Sequence, residues 1–454
     1  MALEGLWIGI ASISPPDSRP NMNSLKSILL RQGSIGALLR MVSMLSGFVS
    51  AIILARALGA QGLGIYAAAL ALLTICSLPL EFGLPALVTR EVARCWRTDD
   101  HSYIRGLLYF SLCFTALAFL PLAFLAAFLI KVSPWSAELI TQPFWWTLLV
   151  YIYFNGVSSV AAAFLSGSHA LVRSQFPSLV LSPLCFLVIV SSIYVFSEDT
   201  LTPYLVLMAQ VFSTFLALLA CLGLLALRFV HHLKLVQARY ELVRWVNSAW
   251  KLGAINGIRR SQPQMLLYIL SLLAPMEATG LFRIAQRGAS LVSFGISVVT
   301  VTSMPYVSSL FSEGSMNQLQ KLVTRASQYM SAWAGACCIG VLFFGGFLLE
   351  YLFGYEFRSA YWMLVFCCLA ELARAVFGLS FTGLNMSGHE QQSLVWMTVN
   401  LVCSSLAAIA LVPVMGGLGA AVSYAVLTIL VFWRVNCLAR KILGIDFGIW
   451  LQRQ

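Results

Sequence analysis

Charge is what this sequence has least of. Only 10% of its 454 residues are Asp, Glu, Lys or Arg, against roughly a quarter in a soluble domain, which excludes an ordinary water-facing globule. Acid is scarcer than base: 17 carboxylates against 28 basic side chains leave a net charge of +11. The five histidines (His101, His169, His231, His232 and His389) fall in expected loops, so no histidine proton relay is expected within a membrane. None of the 11 cysteines has the CxxC spacing of a zinc or redox site. They lie mostly in apolar runs, including the adjacent pairs Cys337, Cys338 and Cys367, Cys368, and read as packing residues. The N-terminal "GLWIGIASIS" is preceded by Glu4 instead of basic residues and is too short to span, so it makes neither a signal peptide nor a crossing. Pro15, Pro16 and Pro20 then break the chain. An unpacked cytosolic tail over 1–33 is expected, with Met22 as an alternative start.

What is abundant is apolar chain. Hydrophobic residues make up 60% and mean hydropathy is +0.86. The runs are about 20 to 25 residues long, the length a helix needs to cross roughly 30 Å of hydrocarbon, whereas a barrel would alternate in short strands. Twelve spans are expected: 34–56, 65–87, 106–130, 144–166, 176–196 and 203–227, then 249–273, 281–305, 327–352, 360–384, 393–413 and 415–436. Most Lys and Arg fall in connectors on the side of the termini, and only Arg56, Lys131 and Arg358 fall on the other. The positive-inside rule makes both termini of this expected membrane protein cytosolic. The net charge then reads as topology and attraction to anionic membrane lipids, not as a nucleic-acid footprint.

A basic connector, "RFVHHLKLVQARYELVR", separates spans six and seven. It divides the chain into a half over 34–228, a linker over 229–248, a second half over 249–437 and a cytosolic tail over 438–454. The first loop of the first half, "ILARALGAQGLGIYAAAL" (Ile53 to Leu70), has a degraded copy in the second, "LLAPMEATGLFRIA" (Leu272 to Ala285). Aligning Gly64-Ile65-Tyr66 with Gly280-Leu281-Phe282 superposes them. The fold class expected is all-α: twelve transmembrane helices in two pseudo-symmetric six-helix halves around a central cavity, a usual transporter plan. The competing reading is chance recurrence of glycine and an aromatic at membrane turns.

Six arginines cannot be assigned to loops: Arg40, Arg259, Arg260, Arg283, Arg287 and Arg374. Each costs roughly 2.5 to 3.5 kcal/mol near a helix centre, so each needs a partner or a wet cavity. Only Glu81 and Glu371 are available as intramembrane acids. Glu371 and Arg374, at i and i+3, are expected to pair. Helical spacing gives a polar face to span one (Arg40, Ser43, Gly47, Ser50), span two (Thr74, Ser77, Glu81), span seven (Asn256, Arg260, Gln264) and span eight (Arg283, Arg287, Ser290). Pro263 permits a bend in span seven. Snorkelling to headgroups is the alternative for Arg40, Arg283 and Arg287. The expected anion site comprises Arg40, Arg260 and Arg287 in one cavity, with Arg259, Asn256 and Gln264 as further substrate contacts. Arginine fits because its planar fork grips phosphate oxygens bidentately. Glu81 is the candidate for ion coupling. No metal or cofactor is expected, and "TDDH" (Thr98 to His101) reads as solvated surface.

The stretch from Arg31 to Arg94 resembles the start of bacterial polysaccharide-unit flippases, the O-antigen and exopolysaccharide exporters of the multidrug/oligosaccharidyl-lipid/polysaccharide superfamily. The family's ARxLGxxxxGxY turn is matched by Ala55 through Tyr66, its acid-hydrophobe-Gly step by Glu81-Phe82-Gly83, and its R-E-x-x-R by Arg90, Glu91 and Arg94. Weaker matches are "LFGYEF", Leu352 to Phe357, and "LNMSGHEQQS", Leu384 to Ser393. Span seven departs, reading "SQPQMLL" where many members carry an aspartate. The resemblance implies a flippase for an undecaprenyl-pyrophosphate-linked oligosaccharide, driven by H+, Na+ or the membrane potential and working beside polysaccharide polymerase or assembly proteins. Related lipid II flippases have essential arginines in the first and eighth helices, which correspond by position to Arg40 and Arg287. The rivals are a drug/cation antiporter of the same superfamily, which needs an acidic cavity, and a membrane-embedded glycan polymerase or transferase, which usually needs a substantial loop on the far side.

Overall fold

The computed structural model describes residues 22–81, 83–137, 145–196, 201–233, 237–377 and 379–449, and among them no strand occurs. The first 60 described residues, Met22–Glu81, are one helical run broken only at Gly59, whose φ of 64° and ψ of −175° lie outside the helical region. That break makes two helices, α1 (22–58) and α2 (60–81). The turn expected over 57–64 is therefore a single residue. Its alanines and leucines favour helix, and only a residue without Cβ takes the reversed φ cheaply.

Gly83, also left-handed, separates α2 from α3 (Leu84–Arg97), which has Pro85 in its first turn. Asp100 then caps α4 (His101–Val132), accepting from the Tyr103 N–H at 3.2 Å. The first half continues with α5 (Val150–Gly167), α6 (Leu171–Phe196) and α7 (Pro203–Leu233). The second half holds α8 (Leu242–Leu273), α9 (Met276–Ser312), α10 (Met316–Phe353), α11 (Tyr361–Val376), short α12 (Ser380–Met386), α13 (Glu390–Met415) and α14 (Gly417–Leu443).

Among the described residues, ten helical stretches are long and apolar enough to cross a membrane. Dividing the first at Gly59, and adding α8, which is helical but too polar to qualify by composition, yields the twelve crossings expected. Phe124, Phe343 and Val414 are among many large apolar side chains left exposed, as befits a surface wetted by lipid instead of water. This is a multi-pass membrane protein.

The linker and tail are shorter than expected. α7 runs on to Leu233, and α8 begins at Leu242. Trp245 is fully buried in the first half's core, where its Nε1 donates to the Tyr103 hydroxyl at 2.6 Å. The tail folds back after Gly444. Asp446 and Phe447 are buried, the Asp446 N–H donates to Gln320 Oε1 and Ser327 Oγ donates to the Phe447 carbonyl. The Phe447 ring occupies the space above Gly383 where a Cβ would lie. The tail is thus stitched to α10, α12 and α14, because an aspartate and an aromatic beyond the helix stop supply both hydrogen bonds and apolar burial. The expected N-terminal tail lies, up to residue 21, outside the described residues.

Contacts between helix ends define two faces. On one, the terminus face, Gly36 of α1 lies near Gln175 and the tail lies near Gln320. On the opposite face the two halves meet through the repeated motif itself. A Cβ on Gly64 would fall 1.9 Å from the Met276 carbonyl oxygen, and one on Gly280 2.0 Å from that of Ala60. The two equivalent glycines pack reciprocally, so the repetition in the sequence is the interface between the halves. Small residues at such crossings let backbones close to contact.

Candidate functional site

Two arginines stand where the halves meet. Arg283 and Arg287 are one turn apart on α9, so their side chains leave one face of it. Both line a cavity of about 190 Å³ on the first-half side and a second of about 400 Å³ on the second-half side.

The first cavity is walled by α1, α2, α6, α7 and α9. Its polar lining is Ser43, Ser50, Tyr66, Ser182, Gln210 and the two arginines, with no carboxylate. Gly47 of α1 makes room for the Arg287 guanidinium: a Cβ there would stand 3.3 Å from its Nη1. The Tyr66 ring stacks on Phe186, with centroids 6.4 Å apart and planes 12° apart, and its hydroxyl donates to Gln210 Oε1 at 3.4 Å. Among the described residues neither arginine has an ion-pair partner. Two cations in one partly enclosed space whose described lining holds no acid are chemically suited to an anion with several oxygens.

The second cavity is lined by Gln264 of α8, Ser290 and Ser293 of α9, and the expected Glu371–Arg374 pair of α11. That pair forms: Arg374 Nη1 lies 2.9 Å from Glu371 Oε1. Glu371 also accepts from the Tyr424 hydroxyl at 3.2 Å and from Ser293 Oγ, so its charge is fully engaged. Gln286 Nε2 donates to the Pro263 carbonyl at 3.3 Å, tying α9 to α8 at the proline within it.

The expected set is divided by the structure. Arg287 and Gln264 share the second cavity. Arg260 lies in a third, of about 440 Å³, with Gly83, Thr89, Arg90 and Glu81. There Arg260 Nη1 reaches Glu81 Oε2 at 2.6 Å, across the two halves, with the Arg260 side chain 60% exposed and that of Glu81 13%. Arg40 is half-buried on α1 and lines none of these three cavities. Asn256 and Arg259 belong to α8, but their side chains lie outside the described residues.

Arg283 joins the site although sequence reasoning left it out. Its i, i+4 spacing from Arg287 was the available signal. Tyr66 stands out in the sequence only as part of the repeated turn and Gln210 not at all, because they converge from helices far apart in sequence. Among the described residues no three His, Cys, Asp or Glu side chains gather as metal ligands.

Comparison with known proteins agrees with this architecture. The model of the family described as "Polysaccharide biosynthesis protein" matches residues 29–311. Stage V sporulation protein B of Bacillus subtilis (strain 168) is 33% identical over 85 residues, 18% of this chain and only 16% of that relative. An inward-facing multidrug resistance MATE family transporter of the MOP superfamily superposes with a TM-score of 0.71 at 14% identity, over 90% of this chain and 98% of that one. An outward-facing form superposes with a TM-score of 0.62 at 14% identity, over 92% and 95%. With a family match over more than half its length, this chain belongs to the family described as "Polysaccharide biosynthesis protein", and it shares the fold of the MATE-family structures.

Proposed function

We propose that this protein flips an undecaprenyl-pyrophosphate-linked oligosaccharide from the cytosolic to the periplasmic leaflet of a bacterial inner membrane. The observation that carries the reading is the pair Arg283 and Arg287 in an acid-free cavity between the halves. A diphosphate presents multiple oxygens to two guanidinium forks, and arginine keeps its charge when desolvated. The larger polar cavity beyond the same arginines offers amide, hydroxyl and carboxylate groups suited to sugar hydroxyls. Arg260 and Arg40 are assigned to the approach from the cytosolic side, with Asn256, Arg259 and Gln264 on the same helix as Arg260. Glu81, held by Arg260, is assigned to coupling: a proton, Na+ or the empty carrier's response to the membrane potential would bias that tie. The halves would rock about the site in alternating access. Polymerase or assembly proteins would receive the product.

The test is glycan export by single variants at matched protein level. Arg287→Ala and Arg283→Ala should each abolish export and binding of the lipid-linked substrate. Lysine should restore only part, because a point charge lacks the fork. Glu81→Gln should slow export while binding persists. Unchanged export in both alanine variants would sink the assignment. A drug/cation antiporter is disfavoured by the same cavity, since a cationic drug would meet two like charges and no acid.

A further inference from the structure

Two motifs singled out in the sequence, "ARALG" and "LFGYEF", come from opposite halves and meet on the face opposite the termini. Arg56, two residues before the end of α1, donates from Nε to the Leu352 carbonyl at 2.9 Å and from Nη2 to the Tyr351 carbonyl at 2.6 Å. Those carbonyls sit in the last turn of α10, where the helix leaves them without intrahelical donors and at the negative end of its dipole. In return, Glu356, in the 3-10 turn after α10, accepts at Oε2 from the Ala60 N–H at 3.1 Å. Ala60 opens α2, and its N–H is one of the orphan donors at that helix's positive end. The left-handed Gly59 sets the turn there, and even a hypothetical Cβ on it would stand 3.4 Å from Glu356 Oε2.

We infer that Arg56 and Glu356 form a reciprocal capping latch that holds this face shut, and that its release is a required step in exposing the cavity on that side. Each half supplies the cap that the other half's helix end lacks. The latch sits beside the Gly64–Gly280 contact, so breaking it and separating those backbones are one movement. It differs in kind from the tie on the terminus side, Arg260 with Glu81, in which both partners are side chains. The carbonyls gripped by Arg56 are fixed to the end of α10 and the N–H capped by Glu356 to the start of α2, so moving the halves apart as bodies takes both partners out of reach. The inference rests on transport by alternating exposure, whatever the cargo.

Thiol accessibility tests it without reference to substrate. Ser50→Cys reports on the first cavity when an impermeant maleimide is applied from the face opposite the termini, and Gly257→Cys reports on the third cavity from the terminus face. Labelling is scored against the same protein lacking the reporter, which subtracts the native cysteines. Arg56→Ala should raise Ser50→Cys labelling about tenfold, equivalent to about 1.4 kcal/mol, and lower Gly257→Cys labelling. Arg56→Lys should shift both less, since one ammonium cannot span two carbonyls, and Glu356→Gln should act in the same direction. Labelling unchanged at both reporters, or rising at both as in a loosened fold, would overturn the latch.

Where Arg56→Ala fails to accumulate, a short bifunctional thiol reagent joining Ala60→Cys to Glu356→Cys replaces it. Cross-linking should lock Ser50→Cys away from the reagent and stop transport, and continued transport in the cross-linked protein would overturn the latch equally. Loss of glycan specificity with normal labelling shifts would instead count against the proposed cargo and leave the latch standing.

Discussion

At the residue scale, the site is built as much by an absence as by its charges. Gly47 leaves α1 bare where Arg287 must lie, and the Cβ of an alanine would stand 3.3 Å from Nη1. That is close enough to push the guanidinium aside, but its far end is flexible, so the helix need not move. Alanine is also the better helix former, by about 0.5 to 1 kcal/mol. Gly47→Ala is therefore expected to accumulate at least as well as the native protein while export falls several-fold, read by immunoblot and glycan export together; lower accumulation with normal specific activity would show that Gly47 serves packing instead. The sequence made the cations legible because an unpaired arginine in hydrocarbon is costly wherever it falls, and the Glu371–Arg374 pair because both residues lie on one helix. It did not make legible that Arg260 and Arg287 would face different cavities, since that depends on how α8 and α9 rotate against their neighbours. Nor did it expose what Glu356 of the matched "LFGYEF" does, since its partner is a backbone N–H some 300 positions away.

At the element scale, the twelve crossings were readable from apolar run length, and the exceptions are the elements with work to do. α8 is too polar to qualify as a span by composition, yet it is continuous from Leu242 to Leu273 and lines the second and third cavities. The turn between α1 and α2 reads as a loop because glycine recurs there, but the glycines at 62 and 64 are helical and only Gly59 turns. Gly64 serves close approach. Its added Cβ would strike the Met276 backbone oxygen at 1.9 Å, and that of Gly280 the Ala60 oxygen at 2.0 Å, whereas that of Gly62 meets a Leu58 side chain at 3.1 Å. A backbone cannot yield as a side chain can, and overpacking of this kind costs about 1 to 3 kcal/mol or more. Gly64→Ala and Gly280→Ala should therefore each lower the apparent melting temperature of the detergent-solubilised protein, or open the opposite face to thiol reagent, while Gly62→Ala does neither. Equal behaviour of all three would remove the reciprocal glycine contact from the account.

At the scale of the whole molecule, the two halves share a plan but not a charge pattern. Their equivalent first loops pack against each other, yet the unpaired arginines of the central cavities come from α9 of the second half, while its equivalent in the first half, α2, contributes Tyr66 to the same cavity. One half thus brings charge and the other shape. The cavities lie inside that asymmetric seam, and their direction of work depends on which face meets the cytosol. Arg90, Arg94, Arg105, Arg239, Arg244, Arg440 and Lys441 cluster toward the terminus face, against Arg56, Lys131 and Arg358 on the other. Of the latter, Arg56 is committed to helix carbonyls and Arg358 lies 3.3 Å from Glu350, leaving little free positive charge there. Such a bias orients a polytopic chain during insertion with its basic loops held in the cytosol. A reporter active only in the periplasm, fused after Gln454, is accordingly expected to stay inactive, and the same reporter inserted in the connector after Lys131 to be active. The opposite pair of results would turn the molecule over, and with it the leaflet from which the proposed cargo would reach the two arginines.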